Sequence, residues 1–405
     1  MSRAAPPPFP PDAEPVVVTA FGVVSPLGLS VEELARRFAA GECARGSDEV
    51  GVQVTEIPVA AIPADKRAHL GRLDRFCRLF LSAAYLAWDA AALDPAAMDL
   101  SRVGLSFGTG LGCLLTDEEF NRKVLEQGPA AASPLLFAYT VSSAAAGEVA
   151  IALGAKGPNV TAHMGFAAGL GAIGYGFDLI QTGKADVVLA GGADAVDTAL
   201  VQGLRDMDLW KPPSQSRPFQ DAVPGLYPAE GAVVAVLERR ESALRRGARP
   251  WGRIDGYAGG FEPSLSRGSR RSIGIVETMR RALALSGRGE DEIGLVMSSA
   301  HGTGIDRAER EALAEVFGGS RSPLVLAPKT ALGESFAASG VLDLALAAGL
   351  MREAPSMVPG LGFAAEGSGL NVTEAEARLA AASVAMVNSL CYSGNVVSLL
   401  FSRES

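Results

Sequence analysis

The sequence has no Cys-x-x-Cys pair, no apolar run long enough to cross a bilayer and no net positive charge. Its four cysteines, Cys43, Cys77, Cys113 and Cys391, stand far apart. That spacing excludes a cysteine-rich zinc site, and in a chain of 405 residues it argues against a disulfide framework. A spanning helix needs about 20 consecutive apolar residues, and none occurs. No charged-then-apolar signal segment opens the chain, so the expected location is the cytoplasm. The net charge of -9 argues against general nucleic-acid binding, which needs a basic face. Arginines do gather at Arg239 to Arg249 and Arg267 to Arg271, where they read as a solvated helix face and a surface loop. Nothing in the sequence calls for a metal or a cofactor.

What is present is a large apolar fraction, 48% of residues, enough for a substantial core. Short apolar strands alternate with Ala-rich helical stretches, the pattern of an α/β fold. Residues 1–14 are Pro-rich and read as a flexible tail. Strand Val16 to Thr19 precedes a helix from Ser30 to Ala40, with Ser30 as N-cap and Glu33 completing a capping box. Further helices are expected over Arg75 to Ala91, Ser143 to Leu153 and Ala167 to Thr182. Strands are expected at Val103 to Phe107, Val160 to His163 and Asp186 to Ala190, the last ending at Gly191-Gly192. From Trp251 the theme repeats, with helices Ile273 to Ala284, Arg307 to Phe317 and Val341 to Met351. Strands Gly294 to Ser299, Val384 to Val387 and Asn395 to Phe401 accompany them. Two halves, 15–248 and 249–405, are therefore expected, alike in element order and not in sequence.

Several stretches resemble the β-ketoacyl synthases, the condensing enzymes of fatty-acid and polyketide assembly. They are Val17 to Gly28, Phe107-Gly108-Thr109-Gly110-Leu111-Gly112, Gly154 to Asn159 and Gly191-Gly192-Ala193-Asp194. Ser216-Arg217-Pro218-Phe219, Ala229-Glu230-Gly231-Ala232 and Ala300-His301-Gly302-Thr303-Gly304 follow in the family's order. The resemblance runs from about residue 15 to 402 and implies a thiolase fold. That fold has five layers, α-β-α-β-α, built from two similar halves, and it dimerises.

Family members use a cysteine on a strand-to-helix turn, where the helix N-terminus favours the thiolate that takes the acyl chain. Two histidines hydrogen-bond the extender carbonyl and stabilise the enolate. Here the register from Gly157-Pro158-Asn159 to Gly169 and Gly174 needs no gap, and it places Phe166 in the cysteine's seat. Phenylalanine has no nucleophilic atom, so covalent acyl transfer is lost there. The first histidine is matched by His301, followed by Asp306 and Glu309, and the family lysine by Lys329. The second histidine is replaced by Glu334. An ionised carboxylate would oppose a developing enolate by about 4 kcal/mol at ~4 Å and an effective dielectric near 20, whereas a protonated one would donate. In the C-terminal oxyanion loop, Cys391, Tyr392 and Ser393 stand where the family pattern has glycines at 391 and 393, which restricts the backbone. Cys391 fits a packing role, His163 a packing or interface role, and His69 the surface.

A cysteine-less branch exists, the chain length factors, which partner active ketosynthases in type II polyketide systems. Ala327-Pro328-Lys329-Thr330, Gly333, Leu342-Asp343 and Phe166 to Leu170 resemble that branch, although its usual residue at the lost cysteine is glutamine. The resemblance implies a heterodimer with an active ketosynthase paralogue, shaping its acyl or polyketide tunnel for type II polyketide, aryl-polyene or fatty-acid-like assembly. Acyl carrier protein is the further partner expected, with Arg239, Arg240, Arg245 and Arg246 as candidates to meet it. Two rivals remain open at this point. One is a non-covalent malonyl-thioester decarboxylase or acyltransferase using His301; the other is a homodimeric acyl-chain-binding protein.

Overall fold

The computed structural model describes residues 14–46, 50–54, 57–212, 218–219, 225–263, 272–319, 322–360, 370–371, 376–379 and 382–404. Residues 1–13 of the expected tail, the Arg267 to Arg271 loop, Ser216-Arg217 and the side chain of His69 lie outside them. Among the described residues no helix is long and apolar enough to cross a membrane.

Strand β1, Val16–Val24, is a β-branched run buried along its whole length, as a strand covered on both faces must be. Ser30 caps the Val31–Ala39 helix as expected, accepting from Glu33 N at 3.1 Å. Glu33 reaches one residue further than a capping box requires, to Leu29 N at 3.0 Å. The remaining strands are β2 (Val103–Gly108), β3 (Asn159–Ala162), β4 (Val187–Asp194), β5 (Gly231–Arg239), β6 (Gly252–Phe261), β7 (Leu295–Met297), β8 (Leu324–Leu326), β9 (Met357–Pro359), β10 (Glu376–Arg378), β11 (Val384–Leu390) and β12 (Asn395–Arg403).

Ten of them form one sheet in the order β3-β2-β4-β5-β1-β6-β12-β11-β7-β8, and β9 pairs with β10 separately. The first five strands and the last five are the same arrangement run outward from the β1–β6 join. In each, two parallel pairings at the outer side (β3–β2–β4; β8–β7–β11) give way to antiparallel ones toward the join. The halves meet over three residue pairs, Val16 to Val18 against Ile254 to Gly252.

The layering follows from the apolar clusters. One packs the Arg75–Ala90 and Ala144–Leu153 helices on the outer face of the first half. Another packs Ile273–Ser286 and Ile305–Phe317 on the outer face of the second. Between the two half-sheets, Leu170 and Ile173 of the Ala168–Gln181 helix join Val341 and Leu344 of the Ala337–Glu353 helix. Helix, sheet, helix, sheet, helix is the five-layered order.

One strand corrects the sequence reading. β4 does not stop at Gly191-Gly192 but runs through them to Asp194. A Cβ at Gly192 would lie 2.2 Å from Ala337 O, so this glycine serves close approach to the second central helix and not a turn. Strand β5 and the Leu114–Gln127 helix were not anticipated. All four cysteines are free thiols.

Candidate functional site

Both central helices begin at the same end of the molecule, and the expected site residues converge there. The first begins after a single turn, Gly165–Ala167, that follows β3. Gly165 takes φ +59, and a Cβ on it would sit 2.3 Å from Cys391 Sγ, so the thiol fills the space beside the turn. That is the packing role expected of Cys391. Ser389 Oγ donates to Phe166 O at 3.0 Å and Asn395 Nδ2 to Met164 O at 3.4 Å, tying the turn to the β11–β12 hairpin. The oxyanion-loop segment closes as a tight turn, with Gly394 N donating to Cys391 O and Cys391 N to Asn395 O. Ser393 is exposed and accepts from Asn395 Nδ2.

The Phe166 ring, half-buried, points into a group of aromatic neighbours. Its centroid lies 5.2 Å from Phe336, 5.9 Å from His301 and 6.1 Å from Tyr392, each in an edge-to-face arrangement. Phe336, Leu204, Leu226 and Val196 form a fourth apolar cluster here, against which Phe166, Leu111, Leu200, Trp210 and Tyr392 pack. Where the family has sulfur, this chain presents hydrocarbon.

The second central helix begins differently. Glu334 is 1% exposed. Its Oε1 accepts from Phe336 N at 2.8 Å and Ser339 Oγ at 2.7 Å, which satisfies donors at the helix start. Its Oε2 lies 2.8 Å from Lys329 Nζ and 3.1 Å from His301 Nδ1, contacts made by charge without good hydrogen-bond alignment. Burial alone would push the Glu334 carboxyl up; the Lys329 ammonium, and then His301, outweigh it and lower its pKa to about 2. The residue in the second histidine's place is thus an ionised acceptor. Burial also works against the Lys329 ammonium, but Glu334 more than offsets it and raises that pKa. Lys329 Nζ donates to Ser299 O at 2.9 Å and Ser299 Oγ at 3.2 Å. Phe336 itself has φ 52, a left-handed value costly for a bulky residue, and its N–H is the one Glu334 holds.

His301 is 2% exposed, on the loop between β7 and the Ile305–Phe317 helix. Its Nδ1 lies 3.1 Å from Ser299 O, and its Nε2 lies 2.9 Å from Thr303 Oγ1. Asp306 fixes the loop by accepting from His301 N at 3.1 Å and Gly302 N at 2.7 Å. Glu309, also buried, accepts from Ser299 N, Asn388 Nδ2 and Ser298 Oγ; burial raises its pKa. On the second helix Asp343 is buried with neither oxygen hydrogen-bonded, and burial lifts its pKa well above the usual carboxylate range, opposed only in part by Lys329. Asp194 is held by Thr109 Oγ1 and the Gly110, Leu111 and Ala337 amides, joining the Gly-rich turn after β2 to the second helix start.

Residues outside this centre also find their places. His163 is exposed just past β3. The arginines proposed to meet a carrier protein are engaged at the other end of β5 from Gly231, the residue that pairs with Asp194. Arg246 pairs with buried Glu238, Arg240 with Glu404, Arg245 with Glu241, and Arg239 donates to Ile180 O. They are neither free nor near Phe166. Among the described residues no cluster of His, Cys, Asp and Glu is suited to hold a metal ion.

Ten strands in two like halves, with the two inner helix starts meeting at one buried centre, define a thiolase-fold protein. The β-ketoacyl synthase N-terminal domain matches residues 13–243 and the C-terminal domain residues 253–361, so the chain belongs to the β-ketoacyl synthase family. It is 29% identical over 415 residues to 3-oxoacyl-[acyl-carrier-protein] synthase 2 of Synechocystis sp., spanning 96% of this chain and 98% of that one. To the same-named protein of Vibrio cholerae it is 28% identical, over 96% and 99% of the two chains. Among solved structures, the ishigamide ketosynthase/chain length factor superposes with TM-score 0.86 at 26% identity, covering 97% of this chain and all of that one. A type II polyketide ketosynthase solved with its acyl carrier protein has TM-score 0.85 at 21% identity and 97% coverage of this chain, a likeness of fold.

Proposed function

We propose that this chain is a non-condensing ketosynthase subunit of chain length factor type. It pairs with a cysteine-bearing ketosynthase, works with acyl carrier protein in the cytoplasm, and shapes the tunnel for the growing acyl or polyketide chain. The observation that carries this reading is the Phe166 ring at the helix start, with a buried carboxylate, Glu334, in the second histidine's place. The first removes the nucleophile. The second removes a donor to the enolate and puts a negative charge in its place.

A partner is supported by the outer surface of the first half. Leu125 (85% exposed), Ile151 (76%), Phe137 (61%), Leu135 and Val141 are large apolar side chains left in solvent between residues 125 and 151. Strand β3 is the end strand of the sheet, with one side open to another strand. An interface of this kind buries more than ~2,000 Å² when it is obligate. Co-expression with a cysteine-bearing ketosynthase of the same organism, followed by mass measurement of the intact complex, tests the reading. A one-to-one heterodimer supports it; a homodimer that ignores the ketosynthase contradicts it.

A further inference from the structure

We propose that Thr303, His301 and Glu334 form a hydroxyl–imidazole–carboxylate triad that hydrolyses uncharged acyl thioesters. Thr303 Oγ1 lies 2.9 Å from His301 Nε2, and His301 Nδ1 lies 3.1 Å from Glu334 Oε2. Nδ1 faces two acceptors, Glu334 Oε2 and Ser299 O at 3.1 Å, so it carries the ring proton. Nε2 is then the base, presented to the threonine hydroxyl. A nucleophile on a base, and the base on an orienting acid, is the connectivity of hydrolytic triads on unrelated folds. Gly302, at φ +93, reverses the chain between His301 and Thr303 and brings the two side chains together. Glu334 is itself fixed by Lys329, Phe336 N and Ser339 Oγ, so the imidazole has a rigid support.

The surroundings select the substrate. The Tyr392 side chain lies beside Thr303, and with Phe166, Phe336, Leu111 and Trp210 it belongs to the apolar cluster of the site. That cluster suits a hydrocarbon chain. The Glu334 carboxylate opposes a thioester that carries its own carboxylate. Thr303 is 4% exposed, so a substrate reaches it when the half-buried Phe166 and Tyr392 rings turn aside.

The chemistry balances with water as the only co-reactant. Thr303 Oγ bonds to the thioester carbonyl carbon and gives its proton to His301 Nε2. The C–S bond breaks, and that proton passes to the leaving sulfur, leaving an acyl ester on Thr303. Water then attacks the ester carbon while giving a proton to Nε2; the C–O bond to Thr303 breaks, and Oγ takes the proton back. One thioester and one water become one carboxylic acid and one thiol. This activity would clear stalled acyl groups, and it does not depend on whether the chain pairs with a ketosynthase.

The test is incubation of the purified full chain with octanoyl-pantetheine, with octanoic acid followed by mass spectrometry. The expected release is about 100-fold above buffer, the lower end of what a positioned base supplies. Phe166→Ala, which clears the approach, is expected to release faster. Thr303→Val is expected to fall to the buffer rate, and Thr303→Ser to keep activity. Peptide mapping is expected to find the octanoyl group on Thr303. The proposal is overturned if neither the native chain nor Phe166→Ala exceeds buffer, if Thr303→Val hydrolyses as fast as the native chain, or if the octanoyl group maps to Cys391. Heterodimer formation is read separately, so this proposal and the partner-subunit reading fail by different results.

Discussion

The two central helices begin within one ring contact of each other, yet they are built on opposite principles. The Ala168–Gln181 helix has no side-chain cap and opens behind a phenylalanine whose ring meets only other rings. The Ala337–Glu353 helix opens behind a carboxylate bonded to its backbone, a lysine and a histidine. One start lost condensing chemistry by becoming apolar, the other by exchanging a donor for a fixed anion. The difference teaches that the changes are not simple decay. A decayed pocket would have left Lys329 without a counter-charge, and Glu334 supplies it.

The contrast is broken most strongly at Glu334. Glu334→Gln leaves the Lys329 ammonium buried and uncompensated, and is expected to cost about 3–5 kcal/mol in urea unfolding. Phe166→Ala removes a half-buried ring and is expected to cost less than about 2 kcal/mol. Equal losses would erase the distinction between the two starts.

Acid sharpens it next. The Glu334 pKa is depressed in the fold, from an ordinary 4.5 to about 2, so its stabilisation is present above the unfolded-state value and lost as pH falls between them. The expected loss is about 3 kcal/mol across that window, and Glu334→Gln is expected to flatten this limb of the stability curve.

Asp343, one helix face away, has the opposite sign. Its folded pKa is raised, so stability is greatest below the unfolded-state value and falls as pH rises toward the folded one. Asp343→Leu removes a buried carboxyl with no hydrogen-bond partner and is expected to raise stability at pH 7 by about 1 kcal/mol or more in thermal unfolding. The smallest effect on folding is expected on the surface. Leu125→Asp with Ile151→Asp is expected to change unfolding by less than about 0.5 kcal/mol, while abolishing assembly in light scattering.

Much of this centre was legible in the sequence because its landmarks are local. The unbroken spacing from Gly157-Pro158-Asn159 to Gly169 put Phe166 at a helix start, and five residues separate Lys329 from Glu334. Element order in both halves was legible from apolar runs between Ala-rich stretches. Other features depend on neighbours far along the chain. Gly192 reads as a turn until Ala337 O is seen against it. The Leu114–Gln127 helix buries little besides Thr116, so no core-facing stripe announces it. The ionised state of Glu334 requires the folded distance to Lys329, and the Thr303 hydroxyl acquires meaning only beside His301 Nε2. The Arg239 to Arg246 cluster reads as an open basic face until its carboxylate partners are placed on it.

The most direct measurement is condensation by the purified chain. Incubated with an acyl donor and malonyl-loaded acyl carrier protein, it is expected to form no β-ketoacyl thioester alone, and to yield one only when a cysteine-bearing ketosynthase is added. A β-ketoacyl product from the chain alone would contradict the assignment of Phe166 to the nucleophile's seat.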